Sequence, residues 1–260
     1  MIFILSIKKQ KREMQNARYL TALRIMGLVY CAVALYRSIF VSSYPNRLVW
    51  FDSMLNSPFL IRCFALFAEL SFIGAIALNL LKLNAENPLP DKLTKNKFSN
   101  VVFIKTPYVS FGCIAGANIF AFCGLITQLH IFFAIEETLW MLAFALIIPL
   151  IFAQLKNLPK DPANKLYRIL LTILAVWCVG YTSYQVFFAL PFVEYARTDT
   201  VTEASNLHEA IFNFTATQDF ESWGGVGFAI WHSGYFTLCV WMMLFFMNGA
   251  RKNQQLANRD

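Results

Sequence analysis

The stretch 58-PFLIRCFALFAELSFIGAIALNLL-81 decides the architecture. It holds only two charged side chains, Arg62 and Glu69, in a run otherwise built mostly from Phe, Leu, Ile and Ala. A helix needs ~20 mostly apolar residues to cross the hydrocarbon of a bilayer. This run is long enough and predicts a membrane-spanning helix. Five further runs read the same way, over Tyr19–Val41, Pro107–His130, Thr138–Leu155, Leu166–Leu190 and Trp223–Met247.

The whole chain agrees with this reading. Of its 260 residues 58% are apolar and 14% charged, whereas soluble domains are about half apolar and about a quarter charged. The net charge of +7 does not come from a stripe of basic residues on one element. Lys and Arg fall between the apolar runs instead, which argues for topology rather than nucleic acid.

Lys8, Lys9, Lys11, Arg12 and Arg18 precede the first run, and Lys82, Lys92, Lys95, Lys97 and Lys105 follow the second. Lys156, Lys160, Lys165 and Arg168 follow the fourth, and Arg251, Lys252 and Arg259 follow the sixth. The alternate connections carry only Arg47 and Arg197. The positive-inside rule then predicts six spans with both termini cytoplasmic. The expected fold is an all-α, six-helix polytopic bundle in a plasma or bacterial inner membrane. Residues 1–18 form a basic cytoplasmic segment, 19–250 the transmembrane domain, and 251–260 a cytoplasmic tail. Met1 and Met14 are both candidate starts, and the apolar stretch after Met1 is too short for a signal-peptide core.

The outer connections differ from the inner ones. Tyr44, Trp50 and Phe51 suit an interfacial aromatic belt. Leu207, Ala210, Ile211 and Phe214 follow an i, i+3, i+4, i+7 pattern and predict a short amphipathic helix on the outer surface. Gly112 and Gly116 stand at GxxxG spacing, among small residues. That spacing suits close helix packing within the chain or, alternatively, a homodimer contact.

Ionisable groups in a bilayer need a partner or a wet cavity. Arg24 is near enough to the inner end of its helix to snorkel. Glu69 lies ~17 Å past Pro58, near the midplane, and is the first candidate. It shares a helix face with Arg62, but the ~10 Å between them along the axis predicts a partner on another helix. His232 and Tyr235 lie on one face at comparable depth, and Asn118 and Tyr181 reach the same level. Arg37, Arg62 and the pair Glu136–Glu137 lie nearer the outer side. The plainer reading of the two glutamates is that they open the fourth helix, where the dipole favours anions.

These residues suggest an acid–base site of Glu69, His232 and Tyr235, with Arg37, Arg62, Glu136, Glu137, Asn118 and Tyr181 as binding residues. They suggest a membrane-embedded enzyme or binding protein for a lipid or isoprenoid-like molecule, because the polar groups are set among many aromatic rings. A proton-coupled transporter or channel subunit with Glu69 as proton carrier is an alternative, and a structural or assembly subunit of a membrane complex is another. Nothing in the spacing of His, Cys and acidic residues predicts a metal or other cofactor.

Overall fold

The computed structural model describes residues 2–90, 97–162, 164–189 and 205–257. Helix α1 spans Ile2–Ile39, α2 Pro58–Glu86, α3 Lys97–Thr127 and α4 His130–Asn157. Helix α5 spans Lys165–Tyr184 and runs on into a π-helical turn at Gln185–Ala189. The short α6 covers Leu207–Phe212, and α7 covers Gly225–Ala257. Among the described residues five segments are long and apolar enough to cross a membrane: Asn16–Ile39, Pro58–Glu86, Phe103–Thr127, His130–Asn157 and Lys165–Phe187. The last run seen in the sequence begins in a 3-10 turn at Glu221–Trp223 and continues along α7, where the described apolar part is His232–Met247.

Consecutive helices pack side by side. α1 lies against α2 and α7, α2 against α3, α3 against α4, and α4 against α5, which in turn touches α7. Helix α2 is the central one, with 61% of its apolar window buried against 39% for α3 and α4. Its Phe72, Ile73 and Ile76 meet Ile114, Phe144, Ile147 and Met243 in one apolar core. Leu28, Leu35, Phe67, Ile119, Val176 and Phe187 point outward and are exposed. An apolar outer surface of this kind suits hydrocarbon surroundings.

Several boundaries differ from the sequence expectation. α3 begins ten residues before Pro107, which sits inside the helix. α4 begins at His130 rather than Thr138 and continues through Pro149. The α3–α4 turn is tight. Gln128 adopts φ 58° and Thr127 Oγ1 accepts from Leu129 N at 3.2 Å. The close approach there uses Gly124, where a Cβ would lie 2.6 Å from the Phe133 ring. Gly112 has open space around it and Gly116 meets only Leu139 at ordinary distance, so intrachain close packing does not explain that pair.

One face of the bundle carries a cap. β1 (Ser42–Ser43) pairs antiparallel with β2 (Leu48–Val49), which pairs parallel with β3 (Thr215–Ala216). Arg47 Nη2 donates to Leu125 O at 3.0 Å and to Ser205 Oγ at 2.6 Å, tying the β1–β2 loop to α3 and the segment before α6. The Asn206 side chain caps α6 by accepting from Glu209 N. Ala210 is the buried residue of α6, while Leu207 is exposed, so the apolar face of this helix is narrower than its spacing suggests.

The opposite face is held by polar contacts between helix ends. Tyr19 Oη donates to Asn79 Oδ1 at 2.7 Å, and the Gln154 amide donates to Asn84. Arg168 donates to the carbonyls of Leu155 and Leu158, satisfying the free C-terminal end of α4.

Candidate functional site

Arg62 lies in the second turn of α2 and is only 2% exposed, with Glu69 two turns deeper at 5%. Their side chains form a two-pronged ion pair. Arg62 Nη1 lies 2.9 Å from Glu69 Oε1, and Nη2 lies 3.1 Å from Oε2. The partner of Glu69 is thus on its own helix, contrary to the expectation drawn from axial spacing. Glu side chains on a helix lean back toward its N-terminus, and the long Arg side chain reaches forward to meet them. Together they close the ~10 Å of axial rise.

Asn118 of α3 completes the arrangement. Its Oδ1 accepts from Arg62 Nη2 at 3.0 Å, and its Nδ2 donates to Glu69 Oε2 at 2.9 Å. One amide thus serves the cation with its acceptor and the anion with its donor. The same Nδ2 also donates to Ile114 O, which fixes the orientation of the side chain.

Glu136 enters from α4. It lies two turns inside the helix and is buried, so it does not serve as an N-terminal anion for the dipole. Its Oε1 is 3.3 Å from Arg62 Nη2 and accepts from Tyr44 Oη at 2.9 Å. Tyr44 comes from the β1–β2 loop and places its ring 5.1 Å from the Arg62 guanidinium. It therefore turns inward and closes the network from the cap side rather than joining an interfacial belt. Burial, and next the Glu136 carboxylate, raise the Tyr44 hydroxyl well above its ordinary range, which keeps it a neutral donor.

Glu137 faces the other way, toward α5. Its Oε2 accepts from Tyr181 Oη at 2.9 Å and from Gln185 Nε2 at 2.5 Å. Gln185 also donates to Tyr181 Oη at 2.9 Å. Gln185 opens the π-helical turn, a feature frequent at functional sites. Its position near the end of an apolar run was the only sequence signal for it, and Tyr44 had none beyond being an aromatic loop residue.

Arg62, Glu69, Asn118, Glu136 and Tyr44 thus form one buried network, bordered by Glu137, Tyr181 and Gln185. One guanidinium faces two carboxylates. Arg62 Nε and Glu136 Oε2 have no hydrogen-bond partner among the described residues.

His232 and Arg37 belong to a different place. The His232 ring stacks on Phe228 at 5.3 Å and meets Phe236 edge-on at 4.7 Å. The Arg37 guanidinium lies over the Phe236 ring at 4.9 Å. Among the described residues no hydrogen bond, ion pair or ring contact joins His232 to Glu69. The side chain of Tyr235 lies outside the described residues.

A cavity of about 390 Å³ opens beside His232 on the cap face. Trp50, Phe51, Trp223 and Phe228 supply apolar walls, while His232, Ser38 and Ser233 are polar. Its volume falls within the ~300–1,000 Å³ range of small-molecule sites. A wider groove of about 700 Å³ runs along the start of α5 and the turn before it, on the other face. Among the described residues no cluster of His, Cys, Asp or Glu has the makings of a metal site. No family model, curated protein or solved structure matches the chain.

Proposed function

We propose that the protein is a six-span membrane protein, with both termini cytoplasmic, that binds a lipid or isoprenoid-like molecule in the cavity beside His232. Seventeen of its 22 basic residues lie on alternate connections, which supports this topology. The cap of β1–β3 and α6 then faces outward. The observation that carries the binding reading is the aromatic cavity between α1, α7 and the cap, with one imidazole in its wall. Trp50 and Trp223, with ring centres 5.9 Å apart, provide broad apolar contact there.

This reading moves the ligand away from Glu69. That carboxylate is held by three hydrogen bonds from Arg62 and Asn118, in an arrangement suited to fixing α2 against α3. Binding of farnesol to the detergent-purified chain tests the proposal. The wild type is expected to bind it saturably, and Ala229→Trp, which fills the cavity, to abolish binding without loss of the folded protein. A wild type that binds no such molecule refutes the reading.

A second reading, proton-coupled transport, is favoured by the charge imbalance around Arg62 and by the unpartnered Oε2 of Glu136. Glu136 rather than Glu69 is then the carrier, because Glu69 has both oxygens engaged. Proteoliposomes carrying Glu136→Gln lose proton movement under this reading, and unaltered movement excludes it. A second copy of the chain at the open Gly112 face belongs to the proposal too, and cysteine crosslinking at Gly112→Cys tests for it.

A further inference from the structure

Among the described residues two arginines near the cap are buried, and their surroundings differ. Arg62 finds two carboxylates and an amide oxygen within reach. Arg37 is 9% exposed and has no carboxylate within ion-pair distance and no hydrogen-bond acceptor among the described residues. Its described contact is the face of Phe236. A ring face attracts the cation but neither neutralises it nor offers the in-plane oxygen acceptor that guanidinium N–H donors take. Such a buried, unpaired cation in a membrane helix calls for an anion.

The position of Arg37 says which anion can reach it. On α1 the residues that line the cavity, Ser38, Ile39 and Val41, all follow Arg37 toward the cap. On α7 the deepest lining residues are His232 and Ser233, and Phe236 comes one turn further in. Arg37 and Phe236 thus lie just deeper than the lining residues of their own helices, and the lining residue His232 packs edge-on against Phe236.

Resting on the binding reading above, we infer that the ligand is a single-chain amphiphile with an anionic oxygen headgroup. The headgroup pairs with Arg37 beside His232, and the chain lies among Trp50, Trp223 and Phe228. A carboxylate and a phosphate share this chemistry, since both accept the parallel N–H pair of a guanidinium.

The test compares charged and neutral probes on the full chain in a non-ionic detergent. Equilibrium binding is measured for oleate against methyl oleate and for farnesyl phosphate against farnesol. The wild type should bind at least one anion about tenfold or more tightly than its neutral partner, in keeping with a charge-assisted contact. The anion bound more tightly identifies the headgroup. Arg37→Gln should erase that preference and leave the neutral probes unchanged. Equal binding of charged and neutral probes by the wild type overturns the inference but leaves the cavity reading standing. A preference that survives Arg37→Gln in the folded variant also overturns it. Absence of binding by all four probes removes the cavity reading itself. The wild-type comparison needs no variant, so it decides the matter even if Arg37→Gln does not fold.

Discussion

Arg62 and Glu69 stand two turns apart on one helix and meet through two short contacts of 2.9 and 3.1 Å. A pair of this kind within a single helix does not join helices by itself. It becomes a junction because Asn118 of α3 and Glu136 of α4 attach to the same guanidinium. Three helices are thus pinned at one buried point.

Removing the cation is therefore expected to be far worse than removing the whole network. Arg62→Ala leaves Glu69 and Glu136 buried without a counter-charge and should cost about 3–5 kcal/mol. The combined change Arg62→Met, Glu69→Leu, Glu136→Gln should recover most of that loss, because apolar replacement of a buried ionic group is often neutral. Thermal unfolding in detergent reads both. A triple variant no more stable than Arg62→Ala would show that the network is not acting through its charges.

Tyr44 links the cap to this junction through its hydroxyl on Glu136. Tyr44→Phe removes one hydrogen bond and should cost about 1 kcal/mol. The pH dependence has a definite sign. In the unfolded chain this hydroxyl ionises near pH ~10, while in the folded protein it stays protonated to higher pH. The unfolded state therefore releases the proton first, and stability present below about pH 10 is lost as pH rises further. Unfolding curves from pH 8 to 11 should converge for wild type and Tyr44→Phe at the alkaline end. Parallel curves would mean that the Tyr44 hydroxyl titrates alike in both states.

Gly124 marks a close approach of α3 and α4 at their turn, where an added Cβ falls 2.6 Å from Phe133. Gly124→Ala should destabilise by about 1–3 kcal/mol through overpacking. A smaller neighbour, Phe133→Leu, should relieve part of that cost when combined with it. Gly112→Ala, facing open space, should leave the melting temperature of the isolated chain unchanged. Equal effects at the two glycines would contradict this packing.

The proposed orientation places the end of α7 in the cytoplasm. A fluorescent-protein fusion there should glow when the chain is made in a bacterial inner membrane, and an alkaline phosphatase fusion should stay inactive. A fusion after Thr215, in the cap, should behave in the opposite way. The reverse pattern at both sites would invert the topology, and agreement between the two sites would remove one span.

The architecture of long apolar helices fit to cross a membrane was legible from the sequence alone, because a bilayer demands long apolar runs with internally satisfied backbones. The run 58–81 shows this directly: it became the buried central helix α2. Helical periodicity also put Arg62 and Glu69 on one face. It did not reveal that they touch, because axial spacing counts backbone rise and not the reach of two long side chains. Depth along a helix likewise did not reveal direction. Helix counting puts Glu69 and His232 at comparable depth, yet one meets Arg62 of its own helix and Asn118 of α3 while the other stacks on Phe228 and Phe236. The rotation of each helix about its axis sets such contacts, and packing against neighbours determines that rotation. Only the tertiary structure, then, turned Glu136 inward to Arg62, brought Tyr44 down from its loop, and left Arg37 without an anion among the described residues.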